Sequence, residues 1–555
     1  MKRFFTISAL VFAAAVLKAQ TVNPVVEVTN TYAREATGIE KPSQLMDLPD
    51  SVYKFNLDFD YSVTNPTYKG AYEFHPYLVQ MRPGARLAPE QHFYLNAGAG
   101  YTLHPELDLV WNPVRKENFR MNLYASHNSY WGQFRQMALK DNAFVWDGAA
   151  SLGSGTRSES AAGANFLSFF KGGCFTADVN YRNILATDFF QSGDYASVTP
   201  MAIHHRGQVK ARVQNAPGAR FLYNVGTRLA FLSGSQKEFH TVSEATLGFK
   251  SFRVGLGAET ATFTSGTVFK GELIPHYTLT RKRLTLDLGV KLSYVVSPQT
   301  AYPYKGGLIF PDVQIAYRLG QAAVLQAAAT GGDQLVTYDS ILESNPYIAS
   351  FEWVRDVTVN RLHLMGGIRG SVGARFSYDV QLGFKWFNNA FSWSYAYNRV
   401  ILSPPGSAPR ESLAPTVAFV DRLLSYYGDV KLNWQTPSWD ASAHVYYGYT
   451  PIPKLETEVQ QHLFAPASFK AEAHVFYTWM GRIKAGVTLE ARSALAGKYG
   501  RIPAYQDLGV YAQLGFSRRM ALWIKGGNLL NQSIQRIPFL VEGGVYGTAG
   551  IKLVF

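Results

Sequence analysis

The side chains able to do chemistry in this 555-residue chain are few and scattered. In "YASHNS", His127, Asn128 and Ser129 have the side-chain types of a hydrolytic triad, where a base activates a hydroxyl and a third group orients the base. On an extended strand, however, neighbours point to opposite faces, so His127 and Asn128 diverge and only Ser129 shares the face of His127. That face also carries Leu123 and Ala125, which places His127 toward lipid rather than in a polar cleft. His204 and His205 could offer two imidazoles to a metal, but they read as part of a connection, split across faces and lack further ligands. "GAGYT" (98–102) lacks the spacing of a phosphate cradle. The single cysteine, Cys174 in "KGGCFTADV", excludes an intrachain disulfide and reads as a small strand residue. These patterns point away from an enzyme, and no metal, cofactor or nucleic-acid module is expected.

The elements that would carry these residues are long strands. In "RKRLTLDLGVKLSYVV" (281–296), Leu284, Leu286, Leu288, Val290, Leu292, Tyr294 and Val296 share one face, while Arg283, Thr285, Asp287, Gly289, Lys291 and Ser293 share the other. This alternation outlasts the ~5–6 residues of an ordinary globular strand and meets the ~9–11 needed to cross a bilayer at a tilt. Residues 118–130, 220–232, 252–263, 481–490 and 506–516 repeat it. Roughly two dozen such segments follow residue 91, within the range of large outer-membrane barrels. Glycines on the polar faces (Gly289, Gly509, Gly515, Gly550) suit a crowded lumen or a bend. Closure also removes the open strand edges that cannot face lipid. The expectation is an all-β protein, a large antiparallel transmembrane β-barrel of about 22 strands (18–24 by count). "SRR" (517–519), "WMGR" (479–482) and "TPSW" (436–439) should be periplasmic turns; 450–466 and 491–506 should be extracellular loops. Between 330 and 420 the alternation of short and long connections breaks, so the count is open there.

The amino end has the form of a cleaved signal peptide: Lys2 and Arg3, an apolar run from Phe4 to Leu17, and Ala19 at the cut. Residues 1–19 are therefore assigned as leader, 20–90 as an extended periplasmic or lumen segment too short for a full plug, and 91–555 as the barrel. The formal charge of +13 falls to +10 once Lys2, Arg3 and Lys18 leave with the leader. Those charges stand singly along the strands, which suits a wet lumen or anionic outer-leaflet sugars better than nucleic acid. Tyrosine outnumbers tryptophan 33 to 10, as befits a residue with an apolar ring and a polar tip at a water–lipid boundary. Lumen-facing Arg120, Arg228, Lys291, Arg482 and Lys484 suggest some preference for anions, diluted by Asp287 and Glu490.

The final stretch, "WIKGGNLLNQSIQRIPFLVEGGVYGTAGIKLVF", carries Asn528, Leu529, Leu530 and Asn531, then a loop, a Gly-rich strand and a terminal Phe555. It resembles the end of TonB-dependent outer-membrane receptors, with Leu530 in place of the usual aromatic. The resemblance implies that Phe555 is a signal to the barrel-assembly machinery. The amino-terminal pattern, from "PVVEVTNTYAREATGIEKPSQLMDLPD" to "AYEFHPYLVQMRP", resembles plug-less receptor-like barrels of Bacteroidetes-type bacteria. "VVEVT" (25–29) is similar to a TonB box, although without a plug TonB would have little to pull.

The expected location is the outer membrane of a Gram-negative cell. The expected function is porin-like or gated transport of solutes, related to TonB-dependent receptors. The alternative is a non-catalytic structural barrel that docks partners in an assembly, secretion or surface complex. Expected partners are outer-membrane lipid and lipopolysaccharide, the barrel-assembly machinery and a surface lipoprotein or complex subunit, with use of TonB left open.

Overall fold

The computed structural model describes residues 92–555 except 102–103, 136–137, 141–142, 146–150, 188–200, 216–218, 235, 265, 297–305, 321, 349–355, 399–411, 452–465, 498–499, 537–543. The expected signal peptide at 1–19, the segment 20–90 and the TonB-box-like "VVEVT" lie outside the described residues. Twenty-two strands form one antiparallel sheet, each paired with its neighbours in sequence order around the ring. The ring shuts where Phe93–Tyr101 pairs with Tyr546–Val554, from Tyr94 opposite Val554 to Tyr101 opposite Gly547.

Solvent exposure decides between a barrel and a soluble sandwich. Along Leu284–Val296 the apolar residues Leu288, Val290, Leu292 and Tyr294 are exposed, whereas Asp287, Lys291 and Ser293 are buried. A water-soluble sheet would show the reverse. Here the greasy face looks outward to lipid and the polar face looks into a crowded lumen. Leu284 to Val296 spans about 30 Å along the membrane normal at ~3.3 Å per residue and a ~40° tilt, enough for the apolar band. Aromatic residues ring both ends. Phe249, Phe252, Trp434, Trp439, Tyr477 and Trp479 stand exposed near the short turns, with Trp439 stacked on Trp434 and tilted against Tyr477.

All connections at one end are short. "WMGR" turns through Met480 and Gly481 with φ of 49° and 64°, a left-handed pair that only a glycine-containing turn takes easily. The other end carries the long connections, which identifies it as the extracellular one. Two insertions there account for the broken alternation between 330 and 420. The connection after Ala323–Leu335 contains a helix, Tyr338–Ser344, and the one after Phe376–Asn388 contains a hairpin, Ala390–Asn398 paired with Ser412–Val420. Neither insertion adds a barrel strand.

The seam is stapled from inside. The indole of Trp523 lies across Gly98 and Gly550, where a Cβ on Gly98 would sit 2.5 Å from the ring, and its Nε1 donates to Asn96 Oδ1 at 2.6 Å. Lys525 pairs with Glu106 three strands away, across the seam. The glycines on this polar face make room for a side chain rather than a bend.

Candidate functional site

Charges that stand singly in the sequence become neighbours in space, because inward positions of adjacent strands lie side by side. Lys270 Nζ reaches Glu259 at 2.9 Å, Glu272 at 3.1 Å and the carbonyl of Asp333 at 3.2 Å, using all three of its donors. Glu272 also takes Lys291 at 2.9 Å, His240 joins Glu259 at 2.8 Å, and Arg228 approaches His240 at 3.3 Å. A second cluster joins Arg253 to Asp287 at 2.7 Å and His276 to Asp312 at 3.3 Å. Removing one member of such a buried pair costs about 3–5 kcal/mol, because the partner is left charged and dry.

This arrangement corrects the count of lumen cations. Lys291 is neutralised by Glu272, and Lys484 by Asp440 at 3.3 Å. Arg482 sits in an exposed turn, outside the lumen. Arg120 lies over the Phe169 ring, 5.7 Å from its centroid. Asp287 and Glu490 are likewise engaged, by Arg253 and Arg536. The five cations make no common anion path.

The wall that follows it around the ring is aromatic. His363 Nε2 lies 2.7 Å from the Tyr427 hydroxyl, the rings of Tyr427 and Tyr446 stack at 5.8 Å, and Lys385 sits 5.0 Å over Tyr427. Gly383 permits this, since any Cβ there would strike the Tyr427 ring.

The loop end of the lumen is filled by the inserted helix. Thr337 caps it, accepting from Ser340 N while Ser340 Oγ accepts from Thr337 N. A helix of one to two turns is unstable alone and depends on packing. Tyr338, Ile341 and Leu342 are buried in an apolar cluster with Leu232, Phe263, Val268, Val295 and Phe310 of the inner wall and Phe391, Trp393 and Val417 of the hairpin. On the polar side, Asp339 meets Arg206 at 2.8 Å and Glu343 meets Arg182 at 3.0 Å. The signal for this element was present in "TYDSILESNP": a capping Thr337, a capping-box residue three places on, and Pro346 beyond the end. At seven residues the helix is too short for its periodicity to stand out beside those caps.

Asn528, Leu529, Leu530 and Asn531 form a tight knot at the extracellular end of Met520–Gly527. Asn528 and Asn531 both have positive φ (49° and 50°), a conformation asparagine tolerates better than most residues. Asn528 Oδ1 accepts from Gln532 N, its Nδ2 donates to Gln532 O, and its own N donates to Asp507 Oδ1 at 2.6 Å. The knot delivers Arg536 between Glu490 and Asp507. Leu529 and Leu530 are exposed. Phe555 closes the ring at the short-turn end, exchanging backbone hydrogen bonds with Phe93 and resting 6.2 Å from its ring.

The remaining candidates separate. His127 and Ser129 do meet, at 3.1 Å, and His127 Nδ1 lies 2.8 Å from Ser160 Oγ, but Ser129 is only 2% exposed. His204 and His205 lie within the strand Met201–Asn215 rather than in a connection, with His204 buried and His205 outward beside Tyr181. Cys174 is half-buried and unbridged. Among the described residues, no group of three His, Cys, Asp or Glu is placed to hold a metal.

No family model matches the chain, and no curated relative matches it by sequence. Its fold is nevertheless similar to solved outer-membrane receptors. The FrpB iron transporter from Neisseria meningitidis aligns with a TM-score of 0.58 at 10% identity, over 84% of this chain and 83% of that one. A ferric enterobactin receptor from Pseudomonas aeruginosa gives 0.59 at 8%, over 84% and 81%. The siderophore receptor PiuA from Acinetobacter baumannii gives 0.57 at 9%, over 85% and 82%.

Proposed function

We propose that this barrel spans the outer membrane and carries hydrophilic solutes through a lumen gated at its extracellular end by the inward-folded loops. The observation that carries this is the helix Tyr338–Ser344, held inside the barrel mouth by apolar and ionic contacts rather than lying over its rim. The similarity to iron and siderophore receptors supports a transport role. Phe555 serves as the assembly signal, and the knot at Asn528–Asn531 holds the last extracellular loop. No catalytic step is assigned. Reconstituted in a planar bilayer, the barrel should conduct weakly, and deletion of residues 337–348 should raise conductance severalfold. A barrel that stays silent after the deletion, while folded by heat-modifiable gel mobility, rejects the proposal.

A docking role has one observation in its favour. The outward face carries polar groups where lipid is expected: His127 with Ser160, and His205 with Tyr181 at 2.7 Å and Asn183 at 3.0 Å. Polar side chains facing lipid are costly unless something covers them. Extraction in mild detergent should then retain a stoichiometric partner, and a lone barrel on native gels argues against this role.

A further inference from the structure

Two arginines face each other inside the barrel. Arg182 on Gly173–Thr187 and Arg206 on Met201–Asn215 are direct cross-strand partners, on the same inward face. Like charges so placed repel, and both side chains are largely buried, at 12% and 8% exposure. What neutralises them comes largely from the inserted helix. Asp339 and Glu343 are four residues apart, hence on one helical face, and that face lies on the arginine pair. Asp339 Oδ2 meets Arg206 at 2.8 Å; Glu343 Oε1 meets Arg182 at 3.0 Å and approaches Arg206 at 3.8 Å. Glu159, on the wall itself, adds 2.6 Å to Arg182. The satisfaction is incomplete: Nε of both arginines is buried without a hydrogen-bond partner.

We infer that Arg182 and Arg206 form an anion site on the solute path, occupied in this structure by the helix's own carboxylates, and that an incoming anionic solute bearing carboxylate or phosphate groups displaces them and frees the helix. Two adjacent guanidiniums present a fork matched to planar or tetrahedral oxyanions. The wall contributes two carboxylates, Glu159 and, at longer range, Glu238, against three cations, Arg182, Arg206 and Arg228, so the site keeps a net positive charge once the helix leaves. Arg536 also carries charge from a loop to the wall, but there the wall supplies the carboxylates Glu490 and Asp507; at Arg182 and Arg206 the wall supplies the cations. A ligand shifts the helix only by its preference for the released state, and competition for the same two cations supplies that preference. The inference rests on the gated-lumen proposal for its meaning in transport, but its test does not use conduction.

The test is thiol accessibility. Ser344 is buried on the helix, and Ser344→Cys in a Cys174→Ser background gives one reporter thiol. Labelling by a membrane-impermeant maleimide in reconstituted vesicles should be slow and should accelerate about tenfold or more in Asp339→Asn/Glu343→Gln, which strips the helix of its buried ionic partners. Inorganic phosphate or citrate should accelerate the parent reporter, and sodium chloride of equal ionic strength should do so far less. Arg182→Gln/Arg206→Gln should abolish the phosphate and citrate response. The charge-reversed set Arg182→Glu/Arg206→Glu/Asp339→Arg/Glu343→Arg should restore slow labelling. Heat-modifiable gel mobility verifies that each variant is folded. Unchanged labelling on loss of the two carboxylates overturns the latch, and a phosphate response that survives loss of both arginines overturns the anion site. If the labelling responds while the bilayer stays silent, the transport role fails and the anion site stands.

Discussion

Replacing Val290 by arginine places a charge in the middle of the outward face. Val290 lies six positions from each end of the apolar row Leu284–Val296, so it sits about 15 Å from either boundary if the row is tilted by ~40°. At that depth a lipid-facing arginine costs about 2–4 kcal/mol, whereas Leu284→Arg, at the boundary, costs about 0–1 kcal/mol. The difference of roughly 2–3 kcal/mol corresponds to about 30- to 150-fold in the folding equilibrium. On a water-exposed surface both substitutions would fall within about 0.5 kcal/mol of neutral. Equilibrium folding into lipid vesicles across a urea series, followed by tryptophan fluorescence, measures both variants. Equal costs at the two positions, or no cost at either, would refute the assignment of this face to hydrocarbon, because no other property of Val290 separates it so sharply from Leu284.

Gly383→Val should destabilise by about 1–3 kcal/mol by driving Tyr427 out of its contact with His363, and loss of the Tyr427 near-ultraviolet circular dichroism signal should accompany it. Asn528→Val should cost about 1–2 kcal/mol through its left-handed backbone, while Asn528→Gly should cost less; gel mobility against temperature compares them. Two loop residues give opposite pH trends. Burial raises Asp356 to about 6, so the penalty on its charged form is present above that value and relieved as pH falls, and the barrel gains stability from pH 6 toward 4 at this group. Burial, with Lys525 nearby, lowers His104 to about 4, so its folded environment resists protonation and stability is lost as pH falls from 6.5 toward 4. Asp356→Asn and His104→Gln should each remove one trend from guanidinium unfolding curves measured between pH 4 and 7.

The faces of the strands were legible because lipid demands strict alternation: Leu284 to Val296 cannot alternate with Asp287 and Lys291 by accident of a mixed core. The strand number was legible within a few because short turns such as "SRR" mark one end of the barrel. What lies between 330 and 420 was not, since the hairpin inside one connection alternates like a barrel strand and the seven-residue helix inside the other is capped but too short to show helical periodicity. The partners of Lys270, Arg182 and Arg206 were also hidden, because they depend on register between strands and on a loop that folds back over the wall. The knot at Asn528–Asn531 was visible as a motif, but its grip on Asp507 through a backbone N–H leaves no trace in residue types.

The seam between Phe93–Tyr101 and Tyr546–Val554 has a kinetic consequence. Trp523 and Asn96 are separated by 427 residues yet share a hydrogen bond, so the contact that completes the cylinder is among the most distant in the chain. Closing so long a loop costs about 5 kcal/mol of chain entropy beyond the constant term, before any contact is made. Until the final strand arrives, both borders of the growing sheet present unpaired amides and carbonyls in a medium with no water to satisfy them. The last step of folding is therefore all-or-none, and a chain lacking residues 546–554 would be left with two adhesive edges and a propensity to join with others of its kind.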